Sequence, residues 1–472
     1  MSITNIRTRF APSPTGLMHL GSVRTALMNY LFAKQKHGTF LLRIEDTDAE
    51  RNFDPGAKQI LQDLHWLNLS FDEKPYFQSQ RAPLYQKQLQ ILIDNNYAYR
   101  CFCTQEELEK KRARQITLKQ PPRYDRTCLK RTDAEIAQLI ANNTPYIWRM
   151  NLGTNQSIMI TDLAHGQTTF DLNHFSDFSL TRQDGTVTFM FANCVDDIDM
   201  QITHIFRGED HLTNTAGQAA LFKAFNAPLP IYWHMPILCN IDGKKLSKRD
   251  FGFSLNDLQQ AGFLPEAICN YVAIIGGRSF TNEIMSLDEL ANTLVFDHIH
   301  TSGQVKYDVE KLRWVNHKWI NQYDPEKLRN VVKQHLEKQY PAITTLSAEK
   351  LDTLIQTVKT DVHTIDEFGN ELAFYFTTPT ITKSDLALHL PETSIDQILT
   401  LFQSHLEQID TGDQFLNNIK LEAKTKNIPL KQVFTALRVA LTGKPIGPGI
   451  DALITMLGTD EAKKRLEKLQ NL

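Results

Sequence analysis

Apolar and polar residues alternate from Asn5 to Ala11, the period-two pattern of a strand with one buried face. The alternation breaks at Pro12-Ser-Pro-Thr-Gly16, and from about Ser22 to Lys36 apolar residues recur at helical spacing. Strand, loop and helix follow in that order. A second strand is expected from Thr39 to Glu45, running into the acidic cluster Asp46, Thr47, Asp48, and a second helical pattern extends from about Pro55 through Leu67. Strands alternating with helices predict an α/β fold on a parallel sheet, with its chemistry at the carboxyl ends of the strands. From about Cys101 to Gly185 that alternation stops. The segment is polar, basic in its first part, and reads as an insertion. The turn signal Gln183-Asp184-Gly185, between FSLTR and TVTFMF, predicts a hairpin that returns the chain to the sheet. Strand-like residues then recur from Gln201 to Phe206. After about Tyr323 the pattern is helical almost throughout, punctuated by Pro341, Pro379, Pro391, Pro429 and the run from Gly443 to Gly449. A separate all-helical region is expected there.

Composition narrows the class. At roughly 100 to 200 residues per domain, 472 residues give about three domains. The 51 Lys and Arg against 54 Asp and Glu leave a net charge of -3, which excludes a protein that coats nucleic acid through bulk positive charge but leaves room for a local basic surface. No apolar run approaches the roughly 18 to 20 residues needed to span a bilayer, and the N-terminal sequence has no apolar stretch of signal-peptide type. A soluble, cytoplasmic protein, taken as monomeric, is the expectation. Six cysteines in a chain of this length do not make a disulfide scaffold.

Several nucleotide and hydrolase signatures are missing: GxGxxG after a strand, GxxxxGK[ST], HExxH and GxSxG. Asp250-Phe-Gly252 spells a kinase tripeptide, yet no kinase Lys strand or catalytic loop accompanies it. What is present is His19-Leu-Gly21-Ser22, at the junction of the first strand and first helix. Glycine lets backbone approach a ligand, the helix start offers free N–H groups and positive dipole, and His19 adds a donor, a combination suited to phosphate. Far along the chain, Lys244-Lys245-Leu246-Ser247-Lys248-Arg249 follows the turn Asp242-Gly243. Together the two segments make a two-part clamp for a triphosphate.

These segments resemble the two signature motifs of the class I aminoacyl-tRNA synthetases. The longer strings Arg9-Phe-Ala-Pro-Ser-Pro-Thr-Gly16, Arg43-Ile-Glu-Asp-Thr-Asp48, Asn193-Cys-Val-Asp-Asp197 and Arg207-Gly-Glu-Asp-His-Leu212 look more specifically like the bacterial glutamyl-tRNA synthetases. The resemblance spans the chain, including Leu437-Arg-Val-Ala-Leu-Thr-Gly443, and is weaker in the helical half. It implies a Rossmann-like parallel-sheet catalytic domain over 1–98 and 187–240, with an inserted acceptor-binding subdomain at 99–186. A stem-contact region carrying the Lys loop at 241–322 and an all-α anticodon-binding region at 323–472 would follow. It also implies ATP with Mg2+ as substrate, L-glutamate, and tRNA(Glu) as partner, with tRNA(Gln) a second candidate. A tRNA-modifying glutamyl transferase and a non-catalytic tRNA-binding paralogue are the alternatives, and the length beyond the catalytic core and the intact His19, Gly21, Lys245 and Lys248 weigh against them.

Activation requires cations and N–H donors around the phosphates, so His19, Gly21, Lys245 and Lys248 are the candidate catalytic residues. By resemblance Asp210, Leu238, Lys245, Leu246, Ser247, Lys248 and Arg249 contact ATP. A substrate with two carboxylates calls for two cationic contacts, for which Arg9 and Arg207 are the candidates. The resemblance implies that Arg207 grips the side-chain carboxylate, that Arg9 and Ser13 hold the other end, that Glu45 receives the α-amino group, and that Asn193 lines the pocket. One departure stands out: Phe189 occupies the place of the family's usual Tyr and lacks its hydroxyl. In the insertion, Cys101, Cys103 and Cys128 supply three soft ligands suited to one structural Zn2+. Tyr124 is the fourth ligand that the resemblance suggests, and a protonated Lys130 cannot serve. Cys194, Cys239 and Cys269 lie in apolar contexts and are expected to pack. Lys110, Lys111, Arg112, Arg114, Lys119, Arg123, Arg126, Lys130 and Arg131 form the local basic surface, complementary to an RNA backbone. Arg438 is a candidate for anticodon reading.

Overall fold

Three parallel strands build the first part of the fold: β1 (Arg7–Phe10), β2 (Thr39–Ile44), whose Phe40, Leu41, Leu42 and Ile44 are buried, and the half-buried β3 (Tyr76–Phe77), with Arg7 opposite Thr39 and Arg43 opposite Tyr76. The computed structural model describes residues 5–47, 52–54, 56–275, 282–296, 304–409 and 412–470; Asp48 and Pro55 lie outside them. Between the strands run α1 (Leu20–Gln35) and α2 (Lys58–Trp66). Nothing acidic or hydroxylic caps α1 from the usual position; His19 does so instead, its Nδ1 accepting from the Ser22 N–H at 3.1 Å. Then come α3 (Ala82–Asp94), β4 (Ala98–Cys101), α4 (Gln105–Thr117), α5 (Asp133–Ala141) and β5 (Ile147–Met150). Thr104 and Thr132 each start the following helix with a capping box, closed by Glu107 and Glu135.

β6 (Ser157–Asp162) and β7 (Gly166–Asp171) form an antiparallel hairpin. They are followed by α6 (Phe189–Asp199), β8 (His204–Gly208), α7 (Leu212–Ala224), β9 (Ile231–Met235) and β10 (Leu238–Cys239). The sheet order is β7-β6-β9-β8, with β8 and β9 parallel and β6 joined to β9 through Asp162 and Tyr232. Thus residues 157–171, inside the expected insertion, also contribute to the sheet that carries β8. β1 runs beside the start of β8: Arg7 N donates to Thr203 Oγ1 at 2.8 Å, and Thr203 N donates back to the Arg7 carbonyl at 3.0 Å. Chain order reverses between β1 and β8. In open parallel sheets that switch point leaves a crevice outside the carboxyl ends of the strands, which here are Phe10, Ile44 and Gly208.

One sequence expectation needs correcting. The Gln183-Asp184-Gly185 turn is real, with Gly185 at φ +83° and an antiparallel bridge between Thr181 and Val187. The strand expected over TVTFMF, however, ends at Thr188. From Phe189 the chain is helical, because Phe191, Cys194 and Val195, at helical spacing, bury one face against α7 and the β9 side of the core.

Contacts divide the chain into two compact units, Met1–Asp257 with Ile268–Val309, and Leu258–Ala267 with Glu310–Leu472. Every described element of the second unit is a helix. Its helices are amphipathic: in Ala348–Val358, Leu351, Leu354, Ile355 and Val358 are buried on one stripe, and Ser347 caps the start. The helix Leu430–Thr442 begins after Pro429 and stops at Gly443, whose φ of +79° few other residues adopt. No helix among the described residues is long and apolar enough to cross a membrane.

Candidate active site

The two clamp segments meet. The loop from Asn240 to Lys244 is a tight hairpin in which Gly243 takes φ +78°, and it presents Lys245, Ser247, Lys248 and Arg249 at the surface. Ser247 is fixed by Asp250, whose carboxylate accepts from its N–H at 2.8 Å and its hydroxyl at 2.9 Å. Three residues on, Phe253 stacks on the His19 ring with centroids 5.1 Å apart, and its carbonyl accepts from Leu20 N. Asp250-Phe-Gly252 is therefore part of the strap that joins the Lys loop to the His19 loop. Burial first, and then the charge of Lys245, hold the His19 pKa below its usual value. With Nδ1 accepting from Ser22, the neutral ring carries its proton on Nε2, 3.2 Å from Ser22 Oγ. A side chain at Gly21 would place Cβ 3.0 Å from that ring, so glycine is what lets the imidazole fold over the helix start. Asp210 is exposed and accepts from Lys245 Nζ at 3.2 Å. Leu238 and Leu246 are buried, and the Leu246 N–H donates to the Leu238 carbonyl. Their side chains face the interior.

At the carboxyl ends of β1, β2 and β8 lies a buried polar cluster. Arg43 is fully buried, with NH1 2.6 Å from Asp197 Oδ1, NH2 3.2 Å from Glu45 Oε1 and Nε 3.8 Å from Asp196 Oδ2. Arg9 donates its Nε to the same Asp197 at 3.0 Å. Burial alone would raise the Asp197 carboxyl, but Arg43 and Arg9 outweigh it and the pKa falls. Glu45 goes the other way: burial outweighs Arg43 and Arg9, and its pKa rises. Asn193, on α6, donates to Glu45 at 2.6 Å and accepts from Gln218 at 3.1 Å. Arg43→Ala would take from Glu45 its hydrogen-bonded cation and leave the buried Asp197 with Arg9 alone, so we expect about 3–5 kcal/mol loss of stability in urea titration, the cost typical of breaking a buried ion pair from one side.

Arg207 differs from both other arginines. It is buried, and among the described residues its guanidinium hydrogen-bonds only neutral acceptors: Gln218 Oε1 at 2.7 Å, Thr215 Oγ1 at 2.7 Å and His234 Nε2 at 3.2 Å. Burial lowers its pKa to about 10, which still leaves it charged at neutral pH. A desolvated cation without an acid is costly and favours an anion brought from outside. Phe189 is half-buried nearby, its ring 5.9 Å from that of His211, and Ser13 is exposed on the loop after β1. Arg43, Asp197, Thr215, Gln218 and His234 complete the cluster. Sequence reasoning assigned them no role, and only the quoted strings RIEDTD and NCVDD touched two of them.

The metal candidates also converge. Cys101, Cys103 and Cys128 have Sγ atoms within 4.8 Å of one another, with 3.5 Å between Cys103 and Cys128. Tyr124 Oη lies 3.4 Å from Cys101 Sγ and 3.8 Å from Cys103 Sγ. Thiolates at about 2.3 Å from a tetrahedral zinc sit about 3.8 Å apart, so this donor set fits that ion. Lys130 is exposed, while Cys194, Cys239 and Cys269 are buried. On α4, which buries none of its residues, Arg112 and Arg114 are exposed, as is Lys119 just beyond it; Lys111 and Arg126 are engaged with Asp125 and Asp177. In the helical unit Arg438 Nε donates to the Pro448 carbonyl at 3.0 Å.

A wound parallel sheet with a histidine-capped strand-to-helix loop and a lysine loop strapped to it is the catalytic domain of a class I tRNA synthetase. Residues 5–314 match the family described as tRNA synthetases class I (E and Q), catalytic domain, and residues 318–470 match an anticodon binding domain. A glutamate–tRNA ligase of Finegoldia magna is 35% identical, covering 99% of this chain and all of the relative, and one of Legionella pneumophila (strain Corby) is 35% identical, covering 98% and 97%. The crystal structure of a glutamate tRNA ligase from Elizabethkingia meningosepticum, in complex with its amino acid, superposes with a TM-score of 0.85 at 30% identity, covering 98% of this chain and 99% of that one. The chain belongs to the glutamate–tRNA ligase family of class I aminoacyl-tRNA synthetases.

Proposed function

We propose that the chain attaches L-glutamate to the 3′ end of tRNA(Glu) in two steps. In the first, a carboxylate oxygen of glutamate bonds to the α-phosphorus of ATP, the bond to the β-phosphate breaks, and pyrophosphate leaves. In the second, a hydroxyl of the terminal adenosine takes the glutamyl group and AMP leaves. The observation that carries the substrate is Arg207, a buried cation with only neutral partners, which suits the side-chain carboxylate. Glu45, held by Asn193, receives the α-amino group, while Arg9 and Ser13 attend the α-carboxylate end. With Phe189 in the pocket, no hydroxyl acts from that position.

ATP, bound with Mg2+, lies between the helix start of α1 and the Lys loop. His19 donates Nε2–H to the phosphates, Gly21 keeps the approach open, and Lys245 and Lys248 oppose the charge that grows on the leaving pyrophosphate. Asp210, Leu238, Leu246, Ser247 and Arg249 line the nucleotide, the two leucines through backbone. Catalysis is positioning and electrostatics, with no covalent nucleophile. The exposed basic residues of α4 hold the acceptor arm, and Arg438 serves the anticodon region. The protein acts as a cytoplasmic monomer.

Cys101, Cys103, Cys128 and Tyr124 hold one structural zinc per chain, which ties the segment after α4 back to the end of β4. Elemental analysis of dialysed protein should give about one zinc per chain, and Cys128→Ser should lower that ratio and the melting temperature together. Charging purified tRNA(Glu) and tRNA(Gln), each in turn, tests the function: product on tRNA(Glu) is expected, product on tRNA(Gln) as well would make the enzyme non-discriminating, and none on either refutes the reading.

A further inference from the structure

We propose that Asp162 and His234 are positioning residues for amino-acid selection: Asp162 fixes the His234 tautomer, and the resulting Nε2 lone pair holds the Arg207 guanidinium in its carboxylate-binding pose. The proposal rests on the reading of Arg207 given above.

His234 lies in β9 and is completely buried, as is Asp162 at the end of β6. The two residues are 72 positions apart, and Asp162 Oδ2 is in close hydrogen-bond contact with His234 Nδ1. The carboxylate can only accept, so the proton sits on Nδ1. That leaves Nε2 as a lone pair, and it is this atom that receives Arg207 Nε–H at 3.2 Å. The other tautomer, or a protonated ring, would set an N–H against the N–H of Arg207. Thr215 Oγ1 closes the arrangement: it accepts from Arg207 NH2 at 2.7 Å, lies 2.9 Å from His234 Nε2, and donates its hydroxyl proton to the His211 carbonyl at 3.3 Å, which leaves the Nε2 lone pair to Arg207. The ring is also fixed by stacking on Tyr232, with centroids 5.6 Å apart and planes 11° from parallel, and Tyr232 lies 5.4 Å from the Arg207 guanidinium carbon.

Asp162 is itself immobilised. Its Oδ1 accepts from Ala164 N at 2.7 Å and His165 N at 3.1 Å, closing the β6–β7 turn, and its backbone is the register point where β6 meets β9. Every polar atom in the chain from turn to guanidinium is therefore placed by a second one. Such a network positions a charge without adding another charge at the pocket, which would compete with glutamate for Arg207.

Asp162→Asn provides the test. The Oδ1 side keeps its two backbone N–H bonds, so the amide nitrogen replaces Oδ2 and donates to His234 Nδ1. The ring proton is forced to Nε2, facing Arg207. In glutamate-dependent pyrophosphate exchange by the full chain with tRNA present, the KM for glutamate should rise about 10- to 100-fold, with the KM for ATP and the melting temperature unchanged. Adding His234→Gln to Asp162→Asn supplies an amide oxygen that accepts from Arg207 without needing a carboxylate behind it, and should recover most of the loss. If Asp162→Asn does not fold, His234→Phe keeps the Tyr232 stack, removes the lone pair and should give the same split. An unchanged glutamate KM, a parallel rise for ATP, or no recovery in the double variant overturns the proposal. Because the unsubstituted chain is measured alongside, absence of any glutamate-dependent exchange there counts against the proposed function instead.

Discussion

Arg207→Ala should lower kcat/KM for glutamate by about 10⁴-fold, while the protein melts at the same temperature as the parent or above it. Sites built around a specific charged group lose about that much discrimination and binding when the group's partner is missing. The stability half of the prediction separates a binding role from a structural one. Arg43 and Arg9 share the buried Asp197, and removing either would strip that carboxylate of one of its two cations. Arg207 neutralises nothing: its partners are an amide, a hydroxyl and an imidazole. Deleting it therefore relieves a desolvation penalty. Arg207→Lys should not restore activity, because a single ammonium cannot replace the planar fork that faces three acceptors at once and still meets a carboxylate. Initial rates over a glutamate series, with a melting curve on each variant, decide the matter; a large fall in melting temperature with Arg207→Ala would show that the residue holds the fold.

Lys248→Ala should reduce the rate of activation by about 10²- to 10³-fold, the usual cost of losing one preorganised charge that opposes transition-state charge. Lys248 is exposed at the end of a loop whose shape is set by Asp250, Gly243 and the Phe253 stack rather than by Lys248 itself. The loop should keep its conformation, and tRNA binding, measured by filter retention or anisotropy, should stay within a few-fold of the parent. Equal loss of activation and tRNA binding would contradict a role at the phosphates.

What the chain's pattern disclosed was whatever is local. The Asn5 to Ala11 alternation, the Pro-Gly loop and the following helix are neighbours in sequence, and β1, the His19 loop and α1 are where that pattern puts them. The cysteine cluster was also legible, since CxC and a third thiol declare soft ligands wherever they meet. The TVTFMF segment misled because its alternation continues for only a few residues before burial against α7 imposes helical spacing on Phe191, Cys194 and Val195. The charge balance at Arg43 was out of reach because two of its partners, Asp196 and Asp197, come from a segment about 150 residues away, and nothing in RIEDTD says that the arginine would be buried and already neutralised. His234 and Asp162 each look like an ordinary residue at a strand end, and only the pairing of β6 with β9 brings them together. Asp250-Phe-Gly252, which no other kinase signature accompanies, fixes Ser247 through Asp250 and leads into Phe253, on which the His19 ring rests.

The central claim is that a cation prepared for a side-chain carboxylate lies beside a two-part phosphate clamp. Isotope exchange between pyrophosphate and ATP, run by the full chain with tRNA(Glu) present, tests both halves at once. Exchange that requires L-glutamate and is not supported by L-glutamine is the predicted result. No exchange with glutamate, or equal exchange with the two amino acids, would contradict it.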